Sequence, residues 1–199
     1  MDASGGPAVV VGCCYTFQIM ATTSAAIPRP QPGEYNEYYE RYISLIPGTD
    51  VFGTLDQQLR RTCELLTGLS DEQANLAYAP GKWTIKEVLG HITDTERIFG
   101  YRALRIARGD QTPIEGFEQD DYVRNGNFRQ RRLSDLLDEY TAVRSATLAL
   151  FRSFAGETWP RCGTANHKNV TVRALAYLTA GHERHHHKIL EEKYLPNLR

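Results

Sequence analysis

The sequence predicts an all-α protein whose simplest architecture is a four-helix bundle. Four long segments carry apolar residues every three to four positions, which is the spacing of one helix face. Convincing period-two alternation is missing from the sequence, apart from a weak "AVVVG" near its start. Long helices joined by connections of moderate length are typical of a bundle around one hydrophobic core.

The composition favours a single globular domain and argues against two classes of partner. The chain has 199 residues, of which 41% are hydrophobic and 24% charged, and its net charge is −1 with His neutral. So balanced a charge gives no basic surface for nucleic acid, and no stretch reaches the roughly 18 apolar residues of a membrane helix. The four cysteines are scattered without a Cys-x-x-Cys pair, so a reducing, cytoplasmic setting is expected.

The N-terminal 33 residues are expected to be a disordered leader and linker, so that the domain covers residues 34–199. Residues 1–19 include an apolar patch without a preceding Lys or Arg, which makes a poor signal peptide. Met20 offers an alternative start. Residues 21–33 are rich in Pro, Ala and Thr and are interpreted as a linker that does not pack.

A short extra helix and two long helices are expected in the first half of the domain. Residues 36–47 form an amphipathic segment that ends at Pro47-Gly48. The first long helix covers residues 50–70, with an apolar face made of Val51, Leu55, Leu59, Cys63 and Leu66. The second starts at Thr84, because Thr84 and Glu87 have the spacing of a capping box, and it ends at Gly109.

The second half is expected to contain one long polar connection and two further helices. Residues 110–130 are polar, and a connection of that length is often the lid or the wall of a site. The third long helix covers residues 133–155, with Ser134 as its N-cap. After a connection at residues 156–169, the fourth runs from about residue 171 to Tyr194.

Four of the six histidines lie close together on the fourth long helix. At about 100° per residue, His182 and His186 are about 40° apart on the core-facing side. Two imidazoles at i and i+4 can converge on one metal ion, whereas a single core histidine is more often a hydrogen-bonded packing residue. His185 flanks the pair, and His187, about 140° from His182, is expected to face solvent.

A third metal ligand must come from another element. His91, in the middle of the second long helix, could project into the bundle core. His167 lies in a polar loop, where a surface position is expected. Asp94 could accept a hydrogen bond from the second nitrogen of His91. Glu183 is about 100° from His182 and is expected to miss the centre of the site.

Three stretches resemble the DinB/YfiT-like superfamily over residues 36–195: "PGKWTIKEVLGHITDTERIFGYRALRIARGD", "IEGFEQDDYV" and "TVRALAYLTAGHERHHHKILEEKYL". The order of the motifs is specific, with G-x-W-[ST]-x-x-E-[VIL]-x-x-H on one helix and H-x-x-x-H on the last. The resemblance implies a DinB-like bundle in which His91, His182 and His186 hold a divalent metal ion. His187 departs from the pattern, which has an apolar or variable residue there.

Three neutral ligands leave coordination positions open, as in catalytic rather than structural zinc sites. Such an ion could activate water or a low-molecular-weight thiol. The resemblance therefore implies a metal-dependent hydrolase or a thiol transferase with a small-molecule substrate, and Zn²⁺, Ni²⁺ and Fe²⁺ all suit imidazole ligands. A non-catalytic, metal-stabilised stress-response module is the alternative, and a helical scaffold with surface histidines is a third reading.

A few further residues have both a structural and a functional interpretation. Trp83 is expected to pack, with the wall of a pocket as the alternative role. Tyr122, in the long connection, could close over the metal ion. Arg102 and Arg105 are expected to be solvated charges rather than substrate contacts. A homodimer formed through leftover apolar helix faces is a further expectation.

Overall fold

In a computed structural model, residues 26–198 are described, and they form the predicted four-helix bundle with a small hairpin added. The α-helices, in chain order, are α1 (Glu40–Ile43), α2 (Val51–Leu66), α3 (Asp71–Ala74), α4 (Ile85–Ala107), α5 (Gln119–Asn125), α6 (Leu133–Arg152) and α7 (Val172–Ile189). The four long ones, α2, α4, α6 and α7, make the bundle, and α4 packs against both α6 and α7. No helix among residues 26–198 is long and apolar enough to cross a membrane.

Side-chain caps fix where α4 and α7 begin. The Thr84 hydroxyl accepts a hydrogen bond from the Glu87 amide at 3.2 Å, and the Glu87 carboxylate accepts one from the Thr84 amide at 2.7 Å. The predicted capping box of α4 is therefore confirmed. Thr171 caps α7 in a similar way, by accepting from the amide of Ala174.

The N-cap predicted for α6 is wrong. This helix begins at Leu133, so Ser134 is already inside it. The Leu133 amide donates to the Asp71 carboxylate at 2.8 Å, and the buried Lys86 ammonium lies 2.8 Å from the same carboxylate. A side chain distant in the sequence thus does the work of a local cap, which the local sequence could not reveal.

A β-hairpin occupies the connection before α7, where no strand was predicted. Strand β1 (Cys162–Ala165) pairs antiparallel with β2 (Lys168–Thr171). The turn residues Asn166 and His167 both have positive φ, 49° and 60°, as a type I′ hairpin turn requires. Four-residue strands are too short to show a reliable period-two pattern, which explains why the sequence did not reveal them.

The segment predicted as an unpacked linker is packed over the part that the structure describes. Ile27 is 1% exposed and belongs to the hydrophobic core. Its carbonyl accepts a hydrogen bond from the Tyr177 hydroxyl at 2.9 Å, and Arg29 donates to the Ile46 carbonyl at 2.6 Å. The linker prediction is therefore wrong for these positions, and the remainder, residues 1–25 with Met20, lies outside the described residues.

The long polar connection also has structure of its own, because α5 lies inside it. Phe128, just after α5, packs its ring against the backbone of Gly90 on α4 so closely that a Cβ there would overlap the ring. This contact anchors the connection to the bundle, at the helix that carries His91.

The core consists of two apolar clusters with a polar layer between them. On α4, residues 85–92 contribute to one cluster and residues 99–107 to the other. On α7, residues 172–180 belong to one cluster, and the second begins at its last residue, Ile189, and continues with Leu190 and Tyr194. Where these stretches meet, both helices carry buried polar side chains: His91, Thr95 and Glu96 on α4, and His182, Glu183, His186 and His187 on α7.

Candidate metal centre

The polar layer brings together the three histidines that were predicted as ligands. His91 Nε2 lies 3.0 Å from His182 Nε2, and His186 Nε2 lies 3.2 Å from the same atom. The ligand nitrogens all lie within 4.8 Å of one another, and the three side chains are buried. Within residues 26–198, this is the one cluster of three or more His, Cys, Asp or Glu groups with metal-binding spacing.

The arrangement suits a metal ion better than it suits hydrogen bonds between imidazoles. A neutral imidazole nitrogen either carries one proton or accepts one, so His182 Nε2 cannot be well satisfied by two nitrogens at once. By contrast, a tetrahedral ion with Zn–N bonds of 2.0–2.1 Å holds its nitrogens about 3.3 Å apart. The two measured separations are close to that value, so the residues fit a divalent ion.

Burial keeps all three imidazoles in the neutral form that binds metal. It lowers the pKa of His91 from 6.5 to about 4, with a further contribution from His185. Burial also places the pKa of His182 and His186 well below the usual value, and the neighbouring imidazoles add to the effect. Neutral imidazole is the form with a free nitrogen lone pair for a metal ion.

Aromatic side chains surround the ligands and fix their orientation. The Trp83 ring lies 4.8 Å from the His91 ring, and the Phe99 ring lies 6.2 Å from the ring of His182. Trp83 therefore packs directly on a ligand. Tyr42 of α1 stands edge-on to His182 at 5.5 Å. A shell of this kind limits the access of water to the site.

The approach of α1 to the ligands depends on a glycine of α7. A Cβ at Gly181 would overlap the backbone carbonyl of Tyr42. The missing side chain therefore lets α1 lie directly on α7, which places the Tyr42 ring against His182 and also 5.3 Å from His185. This is a close approach of two helix backbones that a larger residue would prevent.

A cavity of about 470 Å³ opens onto the ligands His91 and His182. Its size is within the range of small-molecule sites. A larger depression, of about 820 Å³, lies along α2 and α7 and is lined by His185 and His187 but by none of the three ligands. Of these two spaces, only the smaller one reaches any of the three histidines.

Of the flanking residues, His185 lies where it was expected and Asp94 does not bond as expected. The His185 ring is half-buried and lies 5.1 Å from the ring of His186. The Asp94 carboxylate accepts a hydrogen bond from Arg97 at 3.2 Å, and among the described contacts it has none with His91. Asp94 therefore makes a salt bridge at the surface of α4 instead of supporting the ligand, because the Arg97 side chain one turn further on competes for it.

The remaining candidates are on the surface of the described structure. Tyr122 of α5 is 46% exposed, and its ring packs against Phe117 at 5.1 Å instead of lying over the metal centre. Its predicted role in closing the site is therefore not supported by this arrangement. His167 lies in the hairpin turn and is exposed, as the sequence suggested.

Beside the ligands lies a buried ionic network that the sequence did not reveal. Arg144 of α6, 0% exposed, donates from Nε and Nη2 to the two carboxylate oxygens of Glu96 at 2.9 and 2.7 Å. The same guanidinium bonds the Glu183 carboxylate and donates to the Leu55 carbonyl at 2.7 Å. Tyr140 also donates to Glu183, at 2.5 Å. The network therefore ties α2, α4, α6 and α7 together at the level of the metal centre.

Glu183 is held ionised by this network. Burial alone would raise its pKa, but Arg144, His187 and Tyr140 outweigh that effect and lower the pKa well below its usual value. With one guanidinium between two carboxylates, the fixed charges of Glu96, Arg144 and Glu183 leave one negative charge in excess. That charge lies beside residues that would hold a cation.

The prediction that His187 faces solvent is wrong. His187 is 6% exposed, its Nε2 contacts the Thr62 hydroxyl of α2, and it lies 3.3 Å from the Glu183 carboxylate. The helical wheel gave the angle between His187 and His182 correctly, but α2 covers the side of α7 that was expected to be open. The sequence contained one sign of this burial. Residues 172–181 of α7 include a single charged residue, Arg173, and a helix with so few charges is covered on most of its sides.

Comparison with known proteins identifies a family and two similar proteins. A family model described as the DinB superfamily matches residues 54–190, a range that includes all three ligands. A protein of Geobacillus thermodenitrificans named "Putative metal-dependent hydrolase" is 28% identical over 123 residues, which cover 61% of this chain and 69% of the relative. A protein of Oceanobacillus iheyensis with the same description is 27% identical over 70 residues, covering 35% of this chain and 40% of its own.

Among solved structures, YfiT from Bacillus subtilis has a similar fold. The two chains superpose with a TM-score of 0.64 at 17% identity, over 86% of this chain and 91% of YfiT. YfiT is described as a probable metal-dependent hydrolase with an unusual four-helix bundle topology. The family match runs from the first turn of α2 to the end of α7, and on that basis this chain belongs to the DinB superfamily.

Proposed function

We propose that this protein is a metal-dependent hydrolase of a small molecule. The observation that carries the proposal is the convergence of three buried, neutral imidazoles, with Nε2 separations of 3.0 and 3.2 Å, at the end of a cavity. The names of the two relatives, and that of YfiT, support hydrolysis as the reaction.

His91, His182 and His186 would hold the ion, and the cavity opens onto two of these residues, His91 and His182. A divalent ion in such a site polarises a carbonyl or phosphoryl oxygen and lowers the pKa of water to about 7. The chain itself supplies the binding and the exclusion of bulk water. Tyr42 and Phe99 line the cavity next to His182 and restrict how a substrate can approach.

The buried network would fix the orientation of the histidine side chains on α7. Glu183 and His187 are bonded on a neighbouring side of α7 from His182 and His186, so the helix cannot turn about its axis without breaking those bonds. The excess negative charge of the network would favour a cation nearby. We prefer hydrolysis to thiol transfer because the relatives are described as hydrolases, and no contact in the described structure points to a thiol.

The proposal is tested by elemental analysis of the purified protein, followed by a hydrolysis screen with esters, amides and phosphoesters. We expect about one Zn²⁺, Ni²⁺ or Fe²⁺ per chain and turnover of at least one ester or amide class. Removal of the metal by a chelator should abolish turnover, and adding the metal back should restore it. His167→Ala is the matched control, because this histidine lies in an exposed turn.

Two results would contradict the proposal in different ways. Absence of a stoichiometric ion, even after incubation with each metal, would remove the metal centre altogether. A stoichiometric ion without turnover of any screened class, combined with a large fall in the melting temperature on chelation, would favour the metal-stabilised, non-catalytic module.

A further inference from the structure

The cavity beside the metal centre contains a buried arginine whose guanidinium has a hydrogen-bond donor without a partner. Arg102 of α4 is 4% exposed and lines the cavity together with His91 and His182. Its Nη2 donates to the Glu115 carbonyl at 3.0 Å, but its Nε has no hydrogen-bond partner among residues 26–198. A buried guanidinium donor without a partner is costly, so this arrangement indicates a group that is bound there.

Arg102 lies on the same face of α4 as the ligand His91. His91, Thr95, Phe99 and Arg102 follow one another at intervals of four, four and three residues, and all line the cavity. The Thr95 hydroxyl is also buried and without a partner among the described residues. Two unsatisfied polar groups on one cavity wall point to a polar ligand more strongly than either would alone.

The lining contains one fixed cation among the described residues, and that is Arg102. Burial lowers the pKa of Arg102 and the nearby Tyr39 phenol opposes this, but an arginine stays charged in proteins. The acidic lining residues, Glu118 and Asp120, are exposed at the start of α5, where water screens them. Aromatic rings, including Tyr39 and Phe117, make up much of the remaining wall.

We propose that Arg102 binds a carboxylate of the substrate, so that this site acts on small aromatic or aliphatic carboxylates. A planar guanidinium matches a carboxylate in geometry and in charge, and the free Nε–H supplies a donor. This inference rests on the proposed function and adds the substrate class to it. Thr95 supplies a further polar contact between the metal centre and Arg102.

The geometry also limits the length of the substrate. Eleven residues separate His91 from Arg102, or about 16 Å along the axis of α4, and helical side chains tilt back towards the N-terminus. From this spacing we expect the guanidinium to lie nearer to the three histidines than its own Cα does, but not within contact of them. A substrate that reaches both groups must carry its carboxylate several bonds away from the bond that is hydrolysed.

The test compares two probes of the same shape by calorimetric titration, phenylbutyrate and its neutral amide. Both are titrated into the zinc-loaded protein and into the metal-free protein. We expect the carboxylate to bind on the order of tenfold more tightly than the amide in both forms, which is typical of one charged hydrogen bond. In Arg102→Gln this preference for the carboxylate should disappear. Arg108→Gln is the control: it removes an exposed arginine six residues further along the chain, and it should keep the preference.

A measurement on the unchanged protein covers the case in which Arg102→Gln fails to fold. The Nε–H resonance of Arg102, followed by nitrogen–proton NMR, should shift on addition of the carboxylate and not of the amide. Equal affinity for the two probes, absence of binding by both, or a carboxylate preference that survives in Arg102→Gln would overturn the proposal. A protein that holds no metal but keeps the Arg102-dependent preference would instead refute only the hydrolase assignment.

Discussion

His91 Nε2 lies 3.0 Å from His182 Nε2, although 91 residues of chain separate the two histidines. The contact exists only because α4 and α7 pack side by side with their polar layers at the same level. The candidate metal centre is therefore a property of helix packing, and substitutions that leave the three histidines intact can still change it.

The two adjacent histidines of α7 should respond differently to substitution. His186→Ala removes a ligand, so metal affinity should fall by more than the roughly 10–100-fold typical of losing an outer partner. His187→Ala should leave about one ion per chain, because His187 is not one of the three converging ligands. Metal content after dialysis and competition with a chromogenic chelator measures both effects.

His187→Ala should nevertheless destabilise the fold. The substitution removes a buried partner from the Thr62 hydroxyl and from the Glu183 carboxylate. Thr62 still donates to Glu183, and Glu183 keeps Arg144 and Tyr140, so the loss should cost about 1 kcal/mol in the free energy of unfolding. Urea denaturation of the metal-free protein measures this cost. An unchanged stability together with loss of the metal would show that His187, and not His186, is the ligand.

Arg144→Met should be among the most destabilising single substitutions in the bundle. It leaves the Glu96 and Glu183 carboxylates buried, close together and without a counter-charge. Breaking a buried ion pair from one side typically costs about 3–5 kcal/mol, which is a large part of the total stability of a domain. Chemical denaturation at neutral pH should show this loss, or the variant should fail to accumulate as folded protein.

Arg152→Met is the matched control for that experiment, since it removes an arginine of the same helix. Its ion pair with Asp56 lies at the surface, with the Arg152 side chain 44% exposed. Surface pairs contribute about 0–1 kcal/mol, so Arg152→Met should be nearly neutral. Similar losses of stability in the two variants would mean that the Arg144 network contributes no more to the free energy of unfolding than an exposed ion pair does.

Gly181→Ala should push α1 away from α7. The added Cβ overlaps the backbone carbonyl of Tyr42, which cannot move without its helix, and overpacking of this kind typically costs about 1–3 kcal/mol. Because the Tyr42 ring leaves His182, metal affinity should fall as well. Gly100→Ala is the control on α4: its Cβ meets nothing within 4 Å, so it should be neutral or stabilise by up to about 1 kcal/mol.

The metal-free protein should lose stability as the pH falls from about 6.5 towards 4. In the unfolded chain histidine takes up a proton near pH 6.5, whereas burial holds the pKa of His91 at about 4 in the folded protein. The stabilising difference is therefore present above pH 6.5 and is lost as the pH falls through this window. For His91 alone it corresponds to about 3 kcal/mol.

Denaturation midpoints across this pH range measure the effect. The contribution of Glu183, whose folded pKa is lowered, is lost only at still lower pH, below its usual value of 4.5, so the two can be separated. A stability that stays constant from pH 6.5 to pH 4.5 would show that the three histidines are not buried in the neutral form.

Periodicity was enough to predict the four long helices and to select His182 and His186, because both depend on local spacing. The capping box of α4 was equally local and is confirmed. His91 was a candidate from its position in a bundle helix, and its pairing with the histidines of α7 came from the resemblance to a family, since no property of one helix specifies which neighbour faces it. The ligand set is thus a local pair completed by a contact over 91 residues.

The failures share one physical cause, which is that burial depends on what packs against a residue. His187 and Arg102 have sequences around them that suit a solvated helix face, yet α2 covers one and the connection before α5 covers the other. Ile27 lies among prolines and is buried by Tyr177, far along the chain. Each of these depends on a contact between elements distant in sequence, so local patterns alone could not establish it.

The dependence on α7 has a consequence for how the protein is synthesised. This last long helix supplies two of the three ligands, the Glu183 partner of Arg144 and the Tyr177 partner of Ile27, 150 residues upstream. Contacts between such distant segments form late, and a domain folds as a unit once all of its elements are present. A nascent chain that ends before α7 therefore lacks both histidine partners of His91 and has Arg144 paired with Glu96 alone, and the three-histidine cluster can form only once α7 has been synthesised.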